Sequence, residues 1–176
     1  MRRILFVILS ILSLSVMAET ESVHPFTLNT NAFLDEGALP VLYTCDGKNE
    51  SPQLEWTGAP DKTQAFALLI TDQNAPNAEF YHWVIYNLPK TTLSLDQGVS
   101  TLPAGTTTAK NSWGNPKYEG PCPPKGAAHT YEITLYALDN PLNLPASANA
   151  ETIKSALEKH MIGKTHLTTV YSRWLE

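Results

Sequence analysis

Four side chains in this sequence have the types and placement to do chemistry together: Asp72, His82, His129 and Tyr131. Two imidazoles and a phenol donate hydrogen bonds. Near neutral pH a histidine beside a carboxylate also gains positive charge. Such a set suits a small anion, phosphate or carboxylate, held by charge-assisted bonds. Backbone N–H groups of the stretch 120–126, GPCPPKG, add candidate donors, and Pro76, Pro123 and Pro124 would give stiff apolar walls.

These residues need rigid elements to hold them. Residues 65–71, AFALLIT, form a short unbroken apolar run of the kind that makes a strand buried on both faces. Residues 83–88, WVIYNL, rich in aromatic and β-branched types, form a second. Between them the segment 72–76, DQNAP, carries turn chemistry, because Asp and Asn bond nearby backbone and Pro76 cannot donate to a ladder. Asp72 therefore ends one strand and His82 begins the next. Taken alone, this segment is equally served by a plainer reading, in which Asp72 caps a turn and His82 is a satisfied, partly buried histidine. A third run, 131–138, alternates well, and His129 and Tyr131 stand at its mouth behind the Gly/Pro-rich loop.

The paired segments resemble the signature regions of the phosphatidylethanolamine-binding proteins, also called Raf kinase inhibitor-like proteins, and of their bacterial branch in particular. The first region of that family has the form D-x-D-A-P followed by H-W or H-F; here it reads Asp72-Gln73-Asn74-Ala75-Pro76, then His82-Trp83. The second has the form G-x-C-P-P-x-G and then H-R-Y; here it reads Gly120 to Gly126, then His129-Thr130-Tyr131. The similarity extends upstream to Tyr43-Thr44-Cys45-Asp46-Gly47 and to residues 51–56, SPQLEW, and covers most of the chain. The resemblance implies a mainly β protein with two stacked antiparallel sheets in a Greek-key arrangement and a C-terminal helix on the outside. It also implies that Asp72, Pro76, His82, Cys122, His129 and Tyr131 line an anion pocket that accepts phosphorylated headgroups. Two positions depart from the family pattern. The second acid of D-x-D is Asn74, which keeps an acceptor and removes a charge, and the arginine of H-R-Y is Thr130.

Other chemistry is weaker. No G-x-S-x-G elbow is present, and no serine is close in sequence to either histidine. Cys122 with His82 or His129 would make a thiol–imidazole pair, and Asp72 with His82 a base. The expectation is a binder and not an enzyme. Asp72, His82, His129 and Cys122 are acceptable zinc ligands but lack the short paired spacings of a structural site, so neither metal nor cofactor is expected. His24, His160 and His166 read as surface or helix-end histidines. The loop 105–119, with Trp113 and Tyr118 as aromatic islands, offers an alternative as an interface for a protein partner, in the manner of a protease or kinase inhibitor.

The remaining elements follow from pattern. Residues 26–33, 39–44 and 53–56 read as strands, 149–161 as an amphipathic helix with Asn149 as N-cap and Gly163 as its stop, and 167–174 as a last strand. Thirteen prolines and nine glycines fit a mainly antiparallel β protein rich in turns. Residues 1–18 read as a cleaved secretory signal, with Arg2 and Arg3 before an apolar core too short to span a bilayer and small residues before the cut at Ala18. Residues 19–176 then form one domain without a membrane span, periplasmic or secreted. Removing Arg2 and Arg3 leaves ten basic residues against 17 acidic, a formal charge of −7. Such a surface repels nucleic acid and anionic headgroups in general, so an anionic ligand must be drawn in locally. Export makes the pairing of Cys45 with Cys122 an open question, against two buried thiols or a thiol beside a histidine.

Overall fold

The structure, a computed structural model, describes residues 24–76, 79–145 and 147–174; the leader expected at 1–18 lies outside them. The apolar run at 65–71 becomes β3 (Ala65–Asp72), every residue of which is buried. It is the middle strand of a five-stranded antiparallel sheet. Its neighbours are β4 (Phe80–Pro89) and β7 (Ala128–Leu138), and β6 (Thr107–Thr108) and β8 (Met161–Ser172) form the edges. One face of this sheet packs Phe66, Leu68, Ile70, Trp83, Ile85, Ile133 and Leu135 against Leu28, Leu54, Trp56 and Leu95. Those last four come from a three-stranded sheet of β1 (Thr27–Asn29), β2 (Leu54–Thr57) and β5 (Ser94–Leu95). The other face packs Ala67, Leu69, Val84 and Tyr86 against Ile153 and Leu157 of the helix α1 (Ala150–His160). A strand covered on both sides can be apolar at every position, which is what residues 65–70 are, with the buried Thr71 after them.

Two expected elements differ. Residues 39–44 do not form a strand. Pro40 lacks an N–H, and the chain turns into a single 3₁₀ turn over Val41–Tyr43, closed by Thr44, whose N–H and hydroxyl both donate to the Val41 carbonyl. Only Ala38 keeps a parallel bridge, to Val170. The helix does begin at Asn149, whose side-chain oxygen accepts from the Thr152 N–H at 2.9 Å. It does not end at Gly163. Met161 is already extended (φ −69°, ψ 123°), and β8 starts there because its ladder with β7 runs from Leu138 opposite Met161 to Ala128 opposite Ser172, with one register shift that leaves Ile162 unpaired. Gly163 lies in that ladder opposite Ala137, where a Cβ would stand 3.0 Å from the Pro60 ring.

Among the described residues no helix is long and apolar enough to cross a membrane.

Candidate anion site at the end of the central strands

Asp72, the last residue of β3, lies opposite Phe80 of β4 on one side and Tyr131 of β7 on the other. The register of β3 with β4 slips at this end. Ile70 faces Trp83 while Thr71 faces Tyr81, so His82 is the extra residue of a β-bulge. Bulges re-aim side chains next to sites. Trp83 packs on the inter-sheet core and Tyr81 on the helix side, although strict alternation would put them on one face. The slip delivers His82 to the same end of the sheet as Asp72, Tyr131 and His129.

Their contacts are specific. The Asp72 carboxylate accepts the Asn74 N–H at 2.8 Å and lies 2.7 Å from Nδ1 of His129. His129 stacks on Tyr131, and Tyr131 meets the His82 ring edge-on with centroids 5.2 Å apart. His82 is 1% exposed and its Nδ1 lies 2.7 Å from the Glu119 carbonyl. Burial pushes the His82 pKa below its usual range, and the opposing pulls of the Glu119 carbonyl and the Asp72 charge do not overcome it. Burial thus works against a positive charge on His82, the role expected of both histidines. Burial, with the Asp72 charge beside it, pushes the Tyr131 phenol upward, so it stays a hydroxyl. Neither His82 Nε2 nor the Tyr131 hydroxyl has a protein hydrogen-bond partner, and both atoms are fully buried.

Four of the six expected residues are thus brought together. Pro76 and Cys122 are exposed, and no hydrogen bond or ring contact among the described residues joins them to the four. Cys122 is bonded to Cys45, with Cα atoms 5.4 Å apart, which settles the open cysteine question and removes the thiol–imidazole pair. The bridge fastens the 44–49 turn to the 118–122 loop. There the Cys45 N–H donates to the Pro121 carbonyl and the Gly120 N–H to the Asn49 side chain. Gly120 is packed against the Tyr43 carbonyl, where a Cβ would collide. Two of the four N–H groups expected as anion donors are accordingly used elsewhere: that of Gly120 on Asn49 and that of Gly126 on the Arg173 carbonyl.

Three participants escaped sequence reasoning. Trp113 stands edge-on to both Phe80 and His82, with centroids 4.7 and 5.0 Å away, and so closes an aromatic cage over His82. It remains 46% exposed. Tyr118, the other aromatic island, is not an exposed interface residue. It packs on Trp83 and its hydroxyl donates to the Tyr43 carbonyl at 2.6 Å. The third participant is the backbone of Glu119, whose N–H also donates to the His82 carbonyl. The Glu119 carboxylate is bonded by Asn115 and Asn111; burial alone would raise its pKa, but these bonds prevail and hold it below the usual range. A readable signal lay in Asn111 and Asn115, turn residues flanking Trp113-Gly114. A backbone carbonyl leaves none.

The two departures from the signature touch each other. The Thr130 N–H donates to the Asn74 side-chain oxygen at 2.7 Å, and the Gln73 N–H to the Thr130 carbonyl. Thr130 takes part in these contacts only through its backbone. Among the described residues no group of three or more His, Cys, Asp or Glu is arranged to hold a metal ion.

The chain is similar to known proteins. A UPF0098 protein of Methanothermobacter thermautotrophicus is 42% identical over 149 residues, which span 83% of this chain and 98% of that one. A putative lipoprotein, LppC, of Mycobacterium tuberculosis is 32% identical over 84% of this chain and 73% of its own length. The crystal structure of Escherichia coli YbcL, described as a member of the mammalian PEBP family, superposes with a TM-score of 0.79 at 28% identity. It covers 84% of this chain and 98% of YbcL. A phosphatidylethanolamine-binding protein homologue from Chlamydia trachomatis gives a TM-score of 0.77 at 27% identity, over 84% of this chain and 97% of the homologue. The model of the phosphatidylethanolamine-binding protein family matches residues 29–172, and the chain belongs to that family.

Proposed function

We propose that this protein is an exported binder of a small oxyanion, free or as the phosphorylated headgroup of a lipid, held by His82, His129 and Tyr131 with Asp72 behind them. One observation carries the reading. Two polar atoms, His82 Nε2 and the Tyr131 hydroxyl, are buried without a protein partner on rings that touch each other. An unmet buried polar group costs about 1–3 kcal/mol, so native proteins keep few of them outside functional sites. His129 is the accessible member, its side chain 12% exposed, and its 2.7 Å contact with Asp72 orients it. The ligand leaves unchanged. Cys122 is held in the disulfide and is not available as a nucleophile. Export is supported by the Cys45–Cys122 disulfide and by the lipoprotein name of a relative.

The test is calorimetric titration of the mature protein with phosphate and with phosphorylethanolamine, beside His129→Ala. Binding by the wild type and a loss of about tenfold or more in the variant is expected, the scale of a charge-assisted hydrogen bond. A wild type that binds neither probe would end the reading.

A further inference from the structure

We infer that the site selects its oxyanion in a proton-bearing form, so that it takes a phosphomonoester carrying a P–OH in preference to a phosphodiester. The inference rests on the oxyanion reading above and names the ligand class of that same site.

The geometry begins at the backbone. A peptide carbonyl only accepts hydrogen bonds. The 2.7 Å contact between His82 Nδ1 and the Glu119 oxygen therefore places a proton on Nδ1. In a neutral imidazole the other nitrogen then bears a lone pair, so His82 presents Nε2 as an acceptor. That contact does not drift. The Glu119 N–H is bonded back to the His82 carbonyl, and the Glu119 side chain is held by Asn111 and Asn115.

The surroundings oppose a second proton on the ring. His82 is walled by Phe80, Trp113 and Tyr131, all edge-on or tilted against it, and is fully buried. An imidazolium there would be a desolvated charge. The ionisable groups facing it are Asp72 from β3, Glu119 from the 109–120 loop, and His129 and Tyr131 from β7. Asp72 favours a charged ring, but its carboxylate is already engaged by His129 and the Asn74 N–H, and burial prevails.

A ligand that satisfies both orphaned atoms must offer a donor to His82 Nε2 and an acceptor to the Tyr131 hydroxyl. A monohydrogen phosphate ester does this with one P–OH and one P–O⁻. A phosphodiester monoanion has acceptors only. It would leave two acceptors facing each other, or force the buried ring to take a proton. A mismatch of this kind is worth about tenfold in affinity or more.

The experiment compares phosphorylethanolamine, a monoester, with glycerophosphorylethanolamine, a diester of the same amine, on wild-type protein by calorimetry at pH 5.5 and 7.5. At pH 7.5 it is run in two buffers of different ionisation enthalpy. At pH 5.5 the monoester is expected to bind about tenfold tighter or better; at pH 7.5, where only about 3% of it still carries the P–OH, that preference should be lost. The monoester should take up about one proton per complex at pH 7.5, because its second ionisation lies near pH 6, and far less at pH 5.5. His82→Gln, which replaces the acceptor with an amide able to donate, should erase the preference. Equal affinity for the two esters in the wild type at pH 5.5 would overturn this inference and leave the oxyanion site standing. Absence of binding by both at both pH values would overturn the site itself.

Discussion

His82 and His129 belong to one site, lie on strands separated only by β3, and are held in opposite ways. His129 sits at the rim, with Nδ1 on a carboxylate 2.7 Å away. His82 sits inside an aromatic cage, with Nδ1 on a backbone carbonyl at the same distance. A carbonyl partner in a desolvated cage fixes a tautomer, and burial there works against the charged form. Two residues that look interchangeable in the sequence are thereby divided into a partly exposed ring on a carboxylate and a buried ring on a backbone carbonyl.

The comparison breaks most readily at the level of stability. His82→Ala removes a fully buried ring from between Phe80, Trp113 and Tyr131 together with the bond to Glu119. It should destabilise the fold by about 2–4 kcal/mol, and His129→Ala by about 1 kcal/mol, since the rim residue loses one hydrogen bond and little packing. Urea unfolding of both variants would show it, and equal losses would mean that the cage is not packed as described.

A second test follows pH. The folded pKa of His82 lies below its unfolded value, so the unfolded chain binds the proton more readily. The contribution of a neutral His82 to stability is therefore complete above about pH 6.5, the unfolded value, and declines as pH falls toward the folded pKa. The stability gap between wild type and His82→Gln should narrow on going from pH 7 to pH 5. A gap that widens over that range would place the charge on His82 after all.

The smallest effect sharpens the rim. Asn74→Asp keeps the acceptor for the Thr130 N–H and restores a charge close to His129. Anion affinity should fall by about two- to fivefold, the scale of an exposed charge contact, and adding Thr130→Arg should recover most of it. A larger loss, unrecovered by the arginine, would show that residue 74 touches the ligand.

The 105–119 loop holds a further contrast with its reading as a partner interface. Tyr118 is half-buried against Trp83, and Trp113, 46% exposed, is turned onto His82 while the turn beneath it is tied by Asn111.

What the sequence determined by itself was local and compositional. The unbroken apolar run at 65–71 demanded a strand covered on both faces, the alternation of 131–138 assigned Ile133, Leu135 and Ala137 to one core, and Asn149 marked the helix start. Residue types at two signature segments named Asp72, His82, His129 and Tyr131. Tertiary structure decided the rest, because each missing piece depends on partners far apart in the chain. Pro40 and the Val170 edge turned an apparent strand into a bridge and a 3₁₀ turn. The ladder with β7 began β8 at Met161, two residues before the glycine that would have stopped the helix. A one-residue slip between β3 and β4 aimed His82, and a carbonyl 37 residues away chose its tautomer. Register slips and backbone acceptors carry no side-chain signature, so the chemistry of His82 is written in the fold and not in the residues around it.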